Sequence, residues 1–349
     1  MTADPGIALS LENLGKRYGT QVALDGLNLR VPEGVVYGFL GPNGAGKTTT
    51  MRILTGLIRA DSGRVELLGK PFGRGDRKRL FDVGALIESP SFYPFLSGRE
   101  NLRALAATGA PVPKGRIDDL LNTVALGDRA KDKVSGYSLG MKQRLGIAAA
   151  LLNDPRLLLL DEPANGLDPA GIVGMRDTLR ALAASGKTVF VSSHILSEVQ
   201  QMADVVGIIG RGRLIREGTV ESLLREEGSI RIRVGAEEVP TAAGILAAAT
   251  GPDTVTPEGG PETGWLTVRV DPARSSELNR ALAGAGVFAS RIEGAANLES
   301  LFLELTGSPS NLGGGSPGDG GGGDKKSKVE AVDWPSDPGA KPDTTGWSS

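Results

Sequence analysis

Three clusters in this sequence have residue types and spacings suited to chemistry on phosphate. Gly41-Pro42-Asn43-Gly44-Ala45-Gly46-Lys47-Thr48 fits the pattern GxxxxGK[ST], lying between an apolar run from Val35 to Leu40 and a helical one from Thr49 to Leu57. Glycines at these positions let successive backbone N–H groups turn inward on an anion, and the new helix presents the positive end of its dipole. Lys47 would span the β- and γ-phosphates of a nucleotide, and the Thr48 hydroxyl would ligate Mg²⁺. The second cluster, Leu157-Leu158-Leu159-Leu160-Asp161-Glu162-Pro163, is an apolar strand ending in two carboxylates. Asp161 can hold Mg²⁺ through water there, and Glu162 can polarise an attacking water. The third is a single residue, His194, just after the apolar strand Thr188 to Ser192. At the carboxyl end of a strand it can donate a hydrogen bond to a γ-phosphate; the ordinary alternative is a structural or merely exposed histidine.

These residues need elements that bring three strand ends together. Between Ile7 and Gly228, short apolar runs alternate with helical stretches, which predicts an α/β fold with a parallel sheet covered on both faces. From Ser229 to Leu305 the pattern changes. Strand-like alternation at Ile230, Ile232 and Val234 is followed by a helical run from Thr241 to Ala249, then by alternation at Leu266, Val268 and Val270. A helical run from Ser275 to Ala283, a strand-like Val287 to Ile292 and a short helix ending at Leu305 complete a βαββαβ ferredoxin-like order with an added helix. After Thr306 the chain is glycine-rich with almost no apolar residues, and so predicts a disordered tail. The expected units are therefore residues 7–228, 229–305 and 306–349.

Composition limits the chemistry further. The 349 residues suffice for about two domains. Lys and Arg total 39 against 41 Asp and Glu, a net charge of −2, which argues against a basic surface and a nucleic-acid partner. Zero cysteines exclude thiolate zinc sites and a cysteine nucleophile, and one histidine excludes a site needing two imidazoles. Metal chemistry must use oxygen ligands. No run approaches the ~18 apolar residues of a membrane-spanning helix. The polar start from Met1 to Gly6 does not suit a signal peptide, so a soluble or peripheral cytoplasmic chain is expected.

These motifs, with Tyr137-Ser138-Leu139-Gly140-Met141-Lys142-Gln143-Arg144 just before Asp161, resemble the ATP-binding subunits of ABC transporters over roughly two thirds of the chain. The resemblance implies a P-loop ATPase using ATP and Mg²⁺, with Gly41 to Thr48 and Thr49 around the phosphates. It makes Tyr18 the aromatic that stacks on adenine, Glu162 the base and His194 the switch histidine. Ser138-Leu139-Gly140-Met141-Lys142 occupies the signature position, normally LSGGQ, and Gly166-Leu167-Asp168 matches the D-loop. Met141 and Lys142 depart from the signature, whereas Ser138 and Gly140 retain its hydroxyl and its close backbone approach to phosphate. Glu88 stands where the family commonly has the Q-loop glutamine, which implies a contact on the metal side of the nucleotide or a link to the permease. The run Ile87-Glu88-Ser89-Pro90, with Phe92-Tyr93-Pro94, resembles the bacitracin-resistance and lantibiotic-immunity branch of exporters.

The cradle and the signature each occur once. In the family arrangement ATP lies between the cradle of one domain and the signature of the other, so the resemblance implies a second copy or a homologue. It also implies a separate transmembrane permease and a place on the cytoplasmic face of the membrane. A soluble ABC ATPase of translation or repair is the rival; such proteins carry two cassettes or a long coiled coil, neither of which is seen. A GTPase is the third option, without the NKxD motif that reads guanine. Deleting the chain after Leu312 is expected to leave soluble expression and basal ATPase activity unchanged, checked by yield and phosphate release.

Overall fold

The computed structural model describes residues 6–294 apart from 74, 110 and 227. The short helix expected to end at Leu305 and the tail from 306 lie outside the described residues. The chain begins with two long strands, β1 (Ile7–Tyr18) and β2 (Gln21–Pro32), then β3 (Val36–Leu40) and helix α1 (Lys47–Leu54). Strands β4 (Ser62–Leu67), β5 (Lys70–Pro71) and β6 (Val83–Leu86) precede a helical stretch of α2 (Gly98–Ala106), α3 (Arg116–Thr123) and α4 (Leu139–Ala150). Strands and helices then alternate through β7 (Leu157–Asp161), α5 (Pro169–Ala184), β8 (Thr188–Ser193), α6 (Leu196–Met202) and β9 (Val205–Gly210). Strand β10 (Arg213–Thr219) and helix α7 (Val220–Glu226) follow.

The central sheet runs β10-β9-β3-β8-β7-β6, and all of it except β10 is parallel. Its strands are buried on both faces, so their sequences read as continuous apolar runs with alternate residues entering different cores. Leu158, Leu160, Val189 and Val191 face a core shared with α2 to α6, whereas Leu157, Leu159, Tyr37, Phe39 and Phe190 face a second core. Tyr37 and Phe39 pack on Phe190 with ring centroids 5.4 and 5.2 Å away.

Both faces of the sheet are covered, and one face carries strands as well as a helix. It is covered by α1 and a four-stranded antiparallel sheet in the order β2-β1-β4-β5. Leu9, Leu11, Leu27, Leu29 and Val31 project from this sheet into the second core. Spaced two apart along β1 and β2, they are the period-two signature of strands buried on one face. The residues between them are largely exposed or half-buried, so no continuous apolar run marks these strands.

Residues 229–294 form a third sheet with its own core. Strand β11 (Ser229–Arg233), helix α8 (Val239–Thr250), strands β12 (Val255–Pro257) and β13 (Trp265–Arg269), helix α9 (Ser275–Gly284) and strand β14 (Arg291–Gly294) follow one another. All pairings are antiparallel, in the order β12-β13-β11-β14, the split βαβ arrangement. Val287 is buried, yet it precedes β14 because its N–H closes the last turn of α9 on Leu282 O.

A polar pair sits in the apolar interior beside β3. The Tyr37 hydroxyl donates to Glu217 Oε1 on β10 at 2.5 Å. Burial raises the Glu217 carboxyl above its ordinary range, opposed by the Tyr37 hydroxyl and the Arg30 backbone N–H. The folded state therefore holds this proton more tightly than the unfolded chain, and stability is lost as pH rises from about 4.3 through the folded value. Glu217→Gln should raise the Tm near pH 7, with the gain vanishing toward pH 4. Thermal melts across that range check this; a gain independent of pH would contradict it.

Candidate active site

Parallel pairing sets the frame. Leu40 lies opposite Ser193 and Asp161 opposite Ser192, so β3, β7 and β8 end level with one another at their carboxyl edge. Each strand then releases its polar residues at the same place.

From β3 the chain turns through Gly41 to Gly46 into α1. Gly46 has φ +111°, and a Cβ there would stand 2.7 Å from Ala23 O, so only glycine fits this turn. It precedes Lys47 at the start of α1, where no side chain caps the first backbone N–H groups. Lys47 is buried, and its ammonium donates to Gly41 O at 2.7 Å and Pro42 O at 3.3 Å. The Ala45 N–H closes a turn on Pro42 O.

From β7, Asp161 and Glu162 separate sharply. Asp161 stays buried and accepts the Ser192 hydroxyl at 2.5 Å. Glu162 takes φ +49°, a left-handed conformation costing a non-glycine residue about 1–2 kcal/mol. Its N–H is held by Ser192, through Oγ at 3.0 Å and the carbonyl at 3.2 Å. The turn carries its carboxylate to two partners, Lys47 Nζ at 3.2 Å and His194 Nδ1 at 2.7 Å. A carboxylate only accepts, so Nδ1 carries the hydrogen of that bond. Nε2 of the neutral ring is then an acceptor. While bound to Glu162, His194 donates to a phosphate oxygen from Nε2 only as the imidazolium.

These groups border a cavity of about 510 Å³, lined among others by Tyr18, Asn43, Gly44, Gly46, Lys47, Thr48, Thr49, Glu162 and His194. Gln21, Ala23 and Asn165 also line it and were not read from the sequence. Gln21 pairs with Tyr18 across the hairpin, and Asn165 N–H turns back on Glu162 O. Their only sequence signal is proximity to Tyr18 and to Glu162. Glu198, on α6 one turn beyond His194, has its carboxyl raised by burial, opposed by His194 and reinforced by Glu162.

Of the expected residues, Gly41, Pro42, Ala45 and Asp161 belong to the segments that border the cavity without lining it themselves, and Ser138, Gly140, Asp168 and Glu88 belong to other segments. Ser138 caps α4 by accepting the Met141 N–H at 3.3 Å, and Asp168 caps α5 by accepting the Gly171 N–H at 2.8 Å. Gly140 approaches Leu167, and Leu139 approaches Gly166, so the signature segment and the Asp168 segment pack on one another. Glu88, at φ +64°, is ion-paired to Arg52 on α1; more than half of its side chain is exposed. Its carboxylate therefore stands on the helix that follows the cradle.

A family model described as ABC transporter matches residues 24–165. The bacitracin transport ATP-binding protein of Bacillus licheniformis is 50% identical over 59% of this chain and 67% of its own length. The one from Enterococcus faecalis is 39% identical over 86% of this chain and 96% of its own. This chain belongs to the ATP-binding family of ABC transporters. The lantibiotic transport ATP-binding protein SrtF of Streptococcus pyogenes is 46% identical over 60% of the chain and 90% of its length. Among solved folds, a dimeric post-hydrolysis ATP-binding cassette bound to ADP and Pi matches with a TM-score of 0.55 and 26% identity, over 61% of this chain and 98% of that one. The protein is thus an ABC ATPase, and no helix among its described residues is long and apolar enough to cross a membrane.

The Ser192 hydroxyl joins the two acidic residues, donating to Asp161 and accepting from Glu162 N–H. Ser192→Ala leaves a buried carboxylate short of a donor, at a cost of about 1–3 kcal/mol. Denaturant unfolding of the variant should show that loss, together with weakened ATP binding.

Proposed function

We propose that this chain is the motor subunit of an exporter of drugs or peptide antibiotics, hydrolysing ATP to drive a separate membrane permease. The observation that carries the proposal is the Glu162 carboxylate joined to both Lys47 and His194 at the mouth of the cavity. The adenine stacks on Tyr18 at one end. The phosphates lie over the N–H groups of Gly44 to Thr49, with Lys47 leaving Gly41 O and Pro42 O to reach the β- and γ-oxygens. Glu162 then accepts a proton from the attacking water, and His194 orients Glu162 and the γ-phosphate. Water adds to the γ-phosphorus as its bond to the bridging oxygen breaks, giving ADP and inorganic phosphate.

Mg²⁺ fits the oxygen donors present. Magnesium is held by one or two carboxylates plus substrate phosphates, and Thr48 on the cavity wall with Asp161 on its buried strand end provides that donor set. When bound, the ion neutralises charge on the β- and γ-oxygens.

Ser138, Gly140 and Asp168 complete the site in trans. They lie on two segments packed on one another and outside the cavity lining, as expected if they face nucleotide held by a second copy or a homologous subunit. Glu88, paired with Arg52 on α1, stands a few residues before the exposed Tyr93 and Phe95. That aromatic pair suits a permease docking beside it, and the proposal puts the chain peripherally on the cytoplasmic face of the membrane. The substrate class rests on the bacitracin and lantibiotic transport names of its relatives. Residues 7–228 are the ATP-binding unit, and the βαββαβ module is an accessory to it.

Lys47→Ala should abolish turnover and weaken ATP binding, measured by phosphate release and equilibrium binding. Glu162→Gln keeps shape without basicity, so ATP binds while hydrolysis falls about 10²–10⁴-fold. Size-exclusion chromatography with ATP should show that variant as a dimer; a monomer at saturating ATP would count against completion in trans.

A further inference from the structure

Tyr18 is 46% exposed, so few neighbours pack against its ring and something else must fix it. The backbone leading to it is also released early. The ladder between β1 and β4 shifts register after Glu12, and its last rung pairs Gly15 with Ser62. The strands are pressed together at that rung, since a Cβ on Gly15 would meet Ser62 Oγ at 2.4 Å. Beyond it only β2 pairs with β1, ending at Tyr18 opposite Gln21.

Asp61, the residue before β4, takes over where the ladder stops. Its N–H donates to Gly15 O at 2.8 Å, and its Oδ2 accepts the Arg17 N–H at 2.7 Å. The carboxylate thereby stands in for the missing strand, one residue short of Tyr18. Its other oxygen, Oδ1, accepts from Lys16 Nζ at 2.8 Å. Lys16 and Tyr18 are two apart on β1 and share a face, and the ammonium lies 5.6 Å from the centroid of the Tyr18 ring. That distance is within reach of a cation–π attraction. Lys16 is largely buried, at 15% exposure, while Asp61 is 47% exposed. The Lys16 hydrogen bond, followed by the Arg17 N–H, holds the Asp61 carboxyl below its ordinary range.

We propose that Asp61 and Lys16 are positioning residues for the nucleotide base, with Asp61 fixing the end of β1 and Lys16 together while Lys16 holds the Tyr18 ring in place for stacking. This rests on the reading that the base stacks on Tyr18. Neither residue lines the cavity, so each acts through Tyr18. Asp61 also follows the turn that leaves α1, where Leu57 and Ile58 N–H groups bond to Arg52 O. The support of the base thus starts from the same segment that supports the phosphates.

The test uses the full chain and compares ATP with tripolyphosphate, which has the phosphates without the base. Lys16→Ala should raise the KM for ATP about two- to five-fold, the range of one exposed cation–π contact, with kcat unchanged. Lys16→Arg should restore it, and Asp61→Asn, which keeps the shape and drops the charge, should behave as Lys16→Ala does. Inhibition by tripolyphosphate should be the same in all of them. In a Tyr18→Ala background, Lys16→Ala should have no further effect. Equal weakening toward ATP and tripolyphosphate, or an undiminished Lys16→Ala effect without Tyr18, overturns the positioning role. A Tyr18→Ala variant with wild-type KM for ATP would instead overturn the stacking reading itself.

Discussion

The parallel register of three strands is the constraint on which the site depends. Because Leu40 lies opposite Ser193 and Asp161 opposite Ser192, three chain segments leave the sheet at one level. A slip of one residue in β7 would exchange the faces of Asp161 and Leu160, burying a leucine where a carboxylate is needed and exposing the core to a charge. The two cores do not by themselves choose the register. Leu157 and Leu159 enter one core while Leu158 and Leu160 enter the other, so a slipped strand would still be apolar through most of its length. The single acid at its end makes one register far better than the next.

On this frame, a small set of polar contacts converts strand ends into a site. Ser192 binds both acidic residues of β7, Glu162 binds the Lys47 ammonium and the His194 ring, and Lys47 folds back over Gly41 and Pro42. Each of the three strands therefore contributes a group that touches a group from another. Glu162 bears a left-handed backbone to reach this position. The strain is sustained because Ser192 holds its N–H by two acceptors and because both carboxylate oxygens find a cation or ring donor.

The separation of the signature segment from the cavity has a different physical origin. Ser138 and Asp168 spend their side-chain oxygens on the first turns of α4 and α5, which fixes those helix starts and sets the two segments against each other through Leu139 and Leu167. A side-chain oxygen at each cap meets one of the backbone N–H groups of that helix start. In the proposed function, the Ser138 and Asp168 segments face nucleotide on another subunit.

Local sequence was enough for the strand ends and for what they carry. An unbroken Leu157 to Leu160 run must be buried on both faces, and Gly41 to Thr48 can only be a turn entering a helix, so Lys47, Asp161, Glu162 and His194 were legible before any contact was known. The antiparallel sheet was not, because Leu9, Leu11, Leu27 and Leu29 alternate with residues that are polar or small and never form a run. Gln21 and Asn165 carry no motif, and they reach the cavity because a hairpin and a turn deliver them there. Glu88 was legible as a departure from a family pattern, but its partner Arg52 is 36 residues away and was fixed only when the segment after β6 came to the side of α1. Asp61 is likewise an ordinary acid in a turn until the β1 and β4 ladder ends beside it. Sequence determines residue chemistry and local periodicity because both are set within a few bonds. Partner choice belongs to the tertiary structure, because two groups become neighbours only when independent segments are packed to a common register.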